Sequence, residues 1–325
     1  MIVDCHTHYL PTPLLQALRA AREGTPMGPF LAHPLDRLDQ QLPILDAEEI
    51  ETALLTYSML LEPAIGAAGL SRADGVRLAN DHLAQAVRQF PGRFLGAAAV
   101  DSAAGEAALP ELDRAVGELG MRAVHMVTNY DGLFLDAPRF WPIYRRAEEL
   151  GIPVMVHPTA PKGWSALQAA TGEDWIAAEL GSPLDTTLSI ARMIMRGVFD
   201  EFPRLKIAFC HLGGFMPMLA GRLDTNYEMY RSVLGPEGAA ALGVTRRASD
   251  YFGRFYVDIH SMDTPAIECA LKTVGPDRIV FGSDFPYNPP TVGIRFAKQR
   301  LAALDAPARV KERIARENGR VLLGL

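Results

Sequence analysis

Residues 183–214 read PLDTTLSIARMIMRGVFDEFPRLKIAFCHLGG, and the reading of this stretch decides the fold. Over 183–202 the apolar residues Leu184, Leu188, Ile190, Ala191, Ile194, Met195, Val198 and Phe199 fall at helical spacing, and Pro203 stops the run. Residues 206–210, KIAFC, then form a short, nearly continuous apolar run that ends on His211. Strands buried on both faces read this way, and a helix feeding such a strand is part of a βαβ unit with a parallel sheet.

The unit repeats outward from this stretch. Short apolar runs at 2–5, 52–56, 94–100, 122–127, 153–157, 206–210, 255–259 and 278–282 predict strands. Helical patterns at 74–90, 104–119, 137–150 and 264–274 lie between them, and glycine or proline follows each. About eight alternations favour a closed (β/α)8 barrel over an open doubly wound sheet. No GxGxxG follows the first strand, so a dinucleotide-binding fold has no direct support. Barrels of this kind commonly exceed 200 residues, which makes 1–325 one expected domain. Two segments, 11–46 after the first strand and 159–184 after the fifth, exceed what a barrel needs and predict long loops walling the site.

Composition narrows the function. With 49% hydrophobic and 22% charged residues, the chain is an ordinary globular protein. The net charge of −6 and the lack of a dense Lys/Arg cluster argue against nucleic acid as a partner. No apolar run approaches the roughly 18 residues that cross a bilayer, so no membrane partner is expected. Cys5, Cys210 and Cys269 form no CxxC pair, which points to reduced thiols. MIVDCHTH shows no signal-peptide pattern, and a cytoplasmic location follows as an expectation.

Five polar residues stand at the C-terminal ends of predicted strands. They are His6, His8, His157, His211 and Asp284. In a barrel these ends open on one face, so residues almost the whole chain apart meet there. His6 and His8 are two apart on an extended chain and project to the same side. Imidazole and carboxylate donors suit zinc, and also manganese, iron or cobalt, and His6, His8, His157 and Asp284 leave a position open. His260 follows the seventh strand and is a candidate substrate contact, with Asp258, inside that strand, an orienting group behind the ligands. His125 lies inside the fourth strand, where it is either structural or lines the pocket. Phe30, Trp164, Trp175 and Phe285 are candidates for aromatic pocket walls.

DCHTH near the start, VHP, the long block from Ser182 to Gly214, and IVFGSDFP near the end resemble the amidohydrolase superfamily. More closely they resemble its branch containing aminocarboxymuconate semialdehyde decarboxylase. The resemblance runs from Met1 to the C-terminal GL and is strongest over 181–222. It implies a (β/α)8 barrel with one divalent metal ion held by His6, His8, His157 and Asp284. It implies that His211 handles the proton of water or substrate. Arg222 matches an arginine that binds a substrate carboxylate across a homodimer interface. A second arginine typical of these decarboxylases falls near Gln41, so that role finds no counterpart. The fourth strand has no lysine to bridge two metals, which favours a single ion.

The expected function is non-oxidative decarboxylation of an unsaturated or aromatic carboxylic acid, with zinc as the expected metal and Asp284 and His211 as the catalytic pair. Arg222, His260 and Trp164 are the expected substrate contacts. The alternatives are a hydrolase of a lactone, ester or amide that activates water at the same metal, a hydratase, and a non-catalytic metal-binding barrel. The small-molecule partner is a carboxylate or a related compound.

Overall fold

The computed structural model describes residues 1–325 except 26–27, 160–162, 173, 261, 288 and 290–291. Eight parallel strands form one sheet: β1 (Ile2–His8), β2 (Ile50–Thr56), β3 (Phe94–Ala98), β4 (Ala123–Val127), β5 (Val154–His157), β6 (Ile207–Phe209), β7 (Tyr256–Asp258) and β8 (Ile279–Val280). The spatial order follows the chain order, as in a singly wound (β/α)8 barrel. The segment after β8 returns to β1: Phe281 O accepts from Cys5 N at 2.9 Å, and Phe285 O accepts from His8 N at 2.8 Å. These bonds close the sheet into a barrel, and no edge of it is left open to pairing.

Register explains which side chains face inward. Residues paired across parallel strands point to the same side, and β4 pairs β5 with His125 opposite Met155 and Val127 opposite His157. Val3, Cys5, Leu54, Ala97, Ala123, Met155, Ala208, Tyr256 and Val280 fill the lower interior. The C-terminal helix Asn318–Leu323 turns back beneath them, and its Leu322 and Leu323 join the same cluster. A Cβ on Gly319 would lie 3.0 Å from Cys5 Sγ, so glycine is what lets that helix approach so closely. In β1 the register shifts between Asp4 and Thr7, a bulge beside which His6 and His8 stand.

The structure corrects several local expectations. Segment 11–46 is largely helical: it carries the helices Thr12–Ala21 and Leu38–Ala47. Leu14, Leu15 and Leu18 bury one side of the first, which Pro13 initiates near its N-terminus. The second long segment carries Trp164–Thr171 and the start of a long helix, Asp174–Met195, that runs through Pro183. The helix expected over 183–202 breaks at Gly197, whose φ of 77° ends it before a short turn, Val198–Glu201. The pattern at 104–119 divides likewise, because Gly105 at φ 65° interrupts it.

Candidate active site

β1 supplies two imidazoles to the C-terminal mouth of the barrel, and the bulge lets both face inward. His6 Nε2 and His8 Nε2 lie 3.1 Å apart. The turn after β8 brings Asp284 to them: its Oδ1 is 2.7 Å from His8 Nε2 and 3.2 Å from His6 Nε2. His157, the last residue of β5, places Nε2 3.9 Å from the same oxygen. His260 Nε2 is 3.5 Å from Asp284 Oδ2. The His211 ring packs edge-on to those of His6, His157 and His260, with centroids 5.1–5.7 Å apart. Donor atoms of His6, His157, His211 and Asp284 all lie within 4.8 Å of one another.

The far side of each ring fixes its tautomer. His6 Nδ1 is 2.8 Å from Asp258 Oδ2, and a carboxylate accepts, so that nitrogen carries the proton. His157 Nδ1 donates to its neighbour's carbonyl, Pro158 O, at 2.7 Å. Thr56 Oγ1 donates to Thr7 O and therefore accepts from His8 Nδ1 at 3.0 Å. All three Nε2 atoms thus present lone pairs to the Asp284 oxygen and to one another. Lone pairs facing at these distances repel unless a cation stands among them. The donor set fits a divalent ion, and the partners behind it are those that orient ligating histidines.

Burial and neighbours shape the charges. Burial pushes His8 down to about 3 and keeps it neutral. Burial, reinforced by His260 and His6, holds His211 well below the usual range. Burial opposes charge on Asp258, but the imidazoles of His6 and His211 outweigh it and bring that carboxyl to about 2. Burial works against charge on Asp284, yet the imidazoles of His157, His6 and His8 packed around it hold its carboxyl well below the carboxylate range. Asp258 Oδ1 also accepts from the backbone N–H of His211 at 2.9 Å and of His260 at 3.0 Å, so one carboxylate orients three histidines.

The backbone here is strained. His211, Leu212 and Asp284 have φ of 55°, 58° and 59°, the left-handed region that costs a non-glycine residue about 1 kcal/mol or more. Around Gly282 there is no room for a side chain: a Cβ would come within 2.9 Å of atoms of Asp258 and His6. Gly214 ends the His211 turn, where a Cβ would meet Pro183 O at 2.1 Å. The neighbouring Phe215 N donates to Thr187 Oγ1 at 2.8 Å, which pins this turn to the long helix.

The structure brings His6, His8, His157, His211, His260 and Asp284 together. It does not bring Arg222 to them by any contact of its own chain: Arg222 lies exposed on the helix Met216–Ala241, without an ion pair among the described residues. The side chains of Trp164, Trp175 and Phe30 lie outside the described residues. Phe285 is buried at the closure of β1 on the last strand. Sequence reasoning missed Thr56 and Tyr287. Thr56 ends β2 on the site face, a signal that was available. Tyr287 sits three residues after Asp284, and its ring stands edge-on to His8 at 4.9 Å.

The sequence matches the amidohydrolase family over residues 3–325. It is 31% identical over 208 residues to the 2-amino-3-carboxymuconate-6-semialdehyde decarboxylase of Dictyostelium discoideum, a match that covers 64% of this chain and 55% of that protein. It is 30% identical over 303 residues to the gamma-resorcylate decarboxylase of Rhizobium sp. (strain MTP-10005), covering 90% of this chain and 88% of that one. The crystal structure of the 2,6-dihydroxybenzoate decarboxylase from Rhizobium superposes with a TM-score of 0.83 at 28% identity, over 99% and 98% of the two chains. The dihydroxybenzoic acid decarboxylase from Polaromonas sp. JS666, with bound manganese and the inhibitor 2-nitroresorcinol, shares the fold at a TM-score of 0.83 and 24% identity, over 100% and 97% of the chains.

Proposed function

Because the chain belongs to the amidohydrolase family, we propose that it is a metal-dependent, non-oxidative decarboxylase of a hydroxy-substituted aromatic acid. The observation that carries this is the convergence of three Nε2 lone pairs on the Asp284 carboxylate, in a chain that resembles decarboxylases of such acids over most of its length.

His6, His8, His157 and Asp284 hold one divalent ion. When bound, that ion supplies Lewis acidity that binds the substrate's oxygens and stabilises negative charge as it builds. Loss of CO2 breaks the bond between carboxyl and ring carbon and leaves the electron pair on the ring, which must then take a proton. His211 is the residue to deliver it: its buried Nε2 has no hydrogen-bond partner among the described residues, and the ring offers a nitrogen within 4.8 Å of donor atoms of His6, His157 and Asp284. Asp258 orients His211 through its backbone, and Asp284 joins the metal side to His260. His260 is a substrate contact beside them. The ion is zinc by the donor set, and manganese is its rival on the Polaromonas relative. Among the described residues no helix is long and apolar enough to cross a membrane. We take the three free cysteines as consistent with a cytoplasmic location.

Arg222 finds its role in a homodimer. Leu180, Leu184 and Leu188 form an exposed stripe on the long helix, and Met218, Met229 and Val233 lie exposed on the adjacent helix with Arg222 among them. A second copy covering this surface would bring the partner's arginine toward a substrate carboxylate. Sedimentation of wild type against Val233→Glu tests this: a dimer that the substitution dissociates supports it, and a monomeric wild type refutes it.

The central test is metal content with CO2 release. About one zinc or manganese per chain, and CO2 from a hydroxybenzoic acid that chelation abolishes, is the expected result. Acid released from a lactone or amide without CO2 would select hydrolysis instead. Protein that neither contains nor rebinds metal would refute the site.

A further inference from the structure

His125 lies on the inward face of β4, one alternation below Val127, whose β5 neighbour is His157. Its Nε2 is 3.1 Å from Ser58 O. A carbonyl only accepts, so Nε2 carries the proton and Nδ1 presents a lone pair. That Nδ1 is buried and has no hydrogen-bond partner among the described residues. A buried acceptor left unpaired is unfavourable, and a donor that reaches it is gained by the pair. The ring is nonetheless held in place. Tyr57 packs against it with centroids 5.9 Å apart, and Ser58 adopts a left-handed φ of 55° where its carbonyl meets the ring and its hydroxyl meets Tyr287 OH at 2.8 Å. Burial, together with the nearby His157 and His8, pushes His125 down to about 3, so it stays neutral. His125 is 5% exposed and His157, beside Val127 on the next strand, is 6% exposed.

We propose that His125 forms the floor of the substrate pocket, and that its Nδ1 accepts a hydrogen bond from a ring hydroxyl directed down into the barrel. This makes His125 a specificity-determining residue, and the inference rests on the reading of the substrate as a hydroxyaryl acid. A hydroxyl donates to this nitrogen, whereas a methoxy group at the same place offers a second acceptor and leaves both unpaired.

The test is a binding cycle on metal-loaded protein, with 2-nitroresorcinol and its dimethyl ether as probes, in wild type, His125→Leu and His125→Gln. Wild type should prefer the hydroxyl probe. His125→Leu should shrink that preference by roughly ten- to a hundredfold, and His125→Gln, which retains an acceptor oxygen, should restore part of it. Metal content should stay at the wild-type value in all three. A preference unchanged in His125→Leu, an equal loss for both probes, or no binding of either probe by wild type would overturn the inference. CO2 release from hydroxybenzoic acids is measured alongside. If wild type releases none but the preference for the hydroxyl probe still depends on His125, the decarboxylase reading fails and the hydroxyl-reading floor stands.

Discussion

At the lower end of the barrel, Val3, Cys5, Leu54, Ala123 and Met155 close over Leu322 and Leu323 in an apolar cluster. At the upper end the same strands carry six histidines and aspartates within a few ångströms of one another, several on left-handed backbone. The strands continue from one chemistry into the other within two or three residues: Cys5 belongs to the lower cluster and His6 to the upper. The lower end gains stability from burial at about 25 cal/mol per Å². The upper end stores strain and unpaired polar atoms that a ligand can satisfy. Substitutions at the two ends should therefore separate function from stability, and their effects rank as follows.

The largest effect belongs to Asp284→Asn. It removes the charge on which three Nε2 atoms converge, and metal retention should fall by more than the roughly 100-fold that an outer-shell change costs. Elemental analysis after dialysis checks it, and full occupancy in the variant would remove Asp284 from the ligand set. His211→Ala follows, with kcat down by about 10² to 10⁴ while metal stays bound. If metal is lost as well, His211 is a ligand and the proton falls to another residue. Neither change should lower the melting temperature of the metal-free protein much, because neither touches the lower cluster.

Leu322→Ala is the mirror experiment. It should destabilise the fold by about 2–5 kcal/mol and leave kcat per folded molecule and metal content as they were. A variant that keeps its stability but loses metal would show that the two ends are not independent.

How legible each end was in the sequence follows from the same contrast. The strands could be read because a strand buried on both faces must be apolar throughout, as 207–210 and 279–282 are. The histidines and Asp284 could be placed because they terminate those runs, and barrel geometry carries strand ends to one face. Thr56 was passed over although it ends the predicted strand 52–56, and Tyr287 was not found because a single hydroxyl past a strand end has no spacing signature. The left-handed backbone at His211, Leu212 and Asp284 has no signature either, since it runs against local propensity and is held by tertiary contacts such as Asp258 to His211 N. Helices in 11–46 were read as loop because proline and glycine punctuate them, although Leu14, Leu15 and Leu18 marked a buried face.

Asp258→Asn probes the boundary between the two ends. It keeps the shape and removes the charge behind His6, and metal affinity should drop by about 10- to 100-fold. Titration with a competing chelator checks the drop, and an unchanged affinity would make Asp258 a backbone anchor for His211 and His260 alone.

The smallest effect lies at the lower rim, where charge rather than apolar burial ties the C-terminal segment down. Glu51 accepts from Arg316 Nε at 2.6 Å and from Arg320 at 3.2 Å, and the side chains of this network are about a quarter to a third exposed. The hydrogen bond from Arg316 holds the Glu51 carboxyl below its ordinary 4.5, and burial opposes this only in part. A depressed folded-state value means that the stabilisation is fully present above pH 4.5 and is lost as pH falls through the folded value below it. Partly exposed pairs contribute about 0–1 kcal/mol, so Glu51→Gln should cost no more than that at neutral pH and nothing at low pH. Denaturant melts of both proteins at a series of pH values falling from 7 should show the gap narrow below pH 4.5. A gap that stays constant across the series would mean that Glu51 acts through packing, and that the lower end is held by its apolar cluster without help from charge.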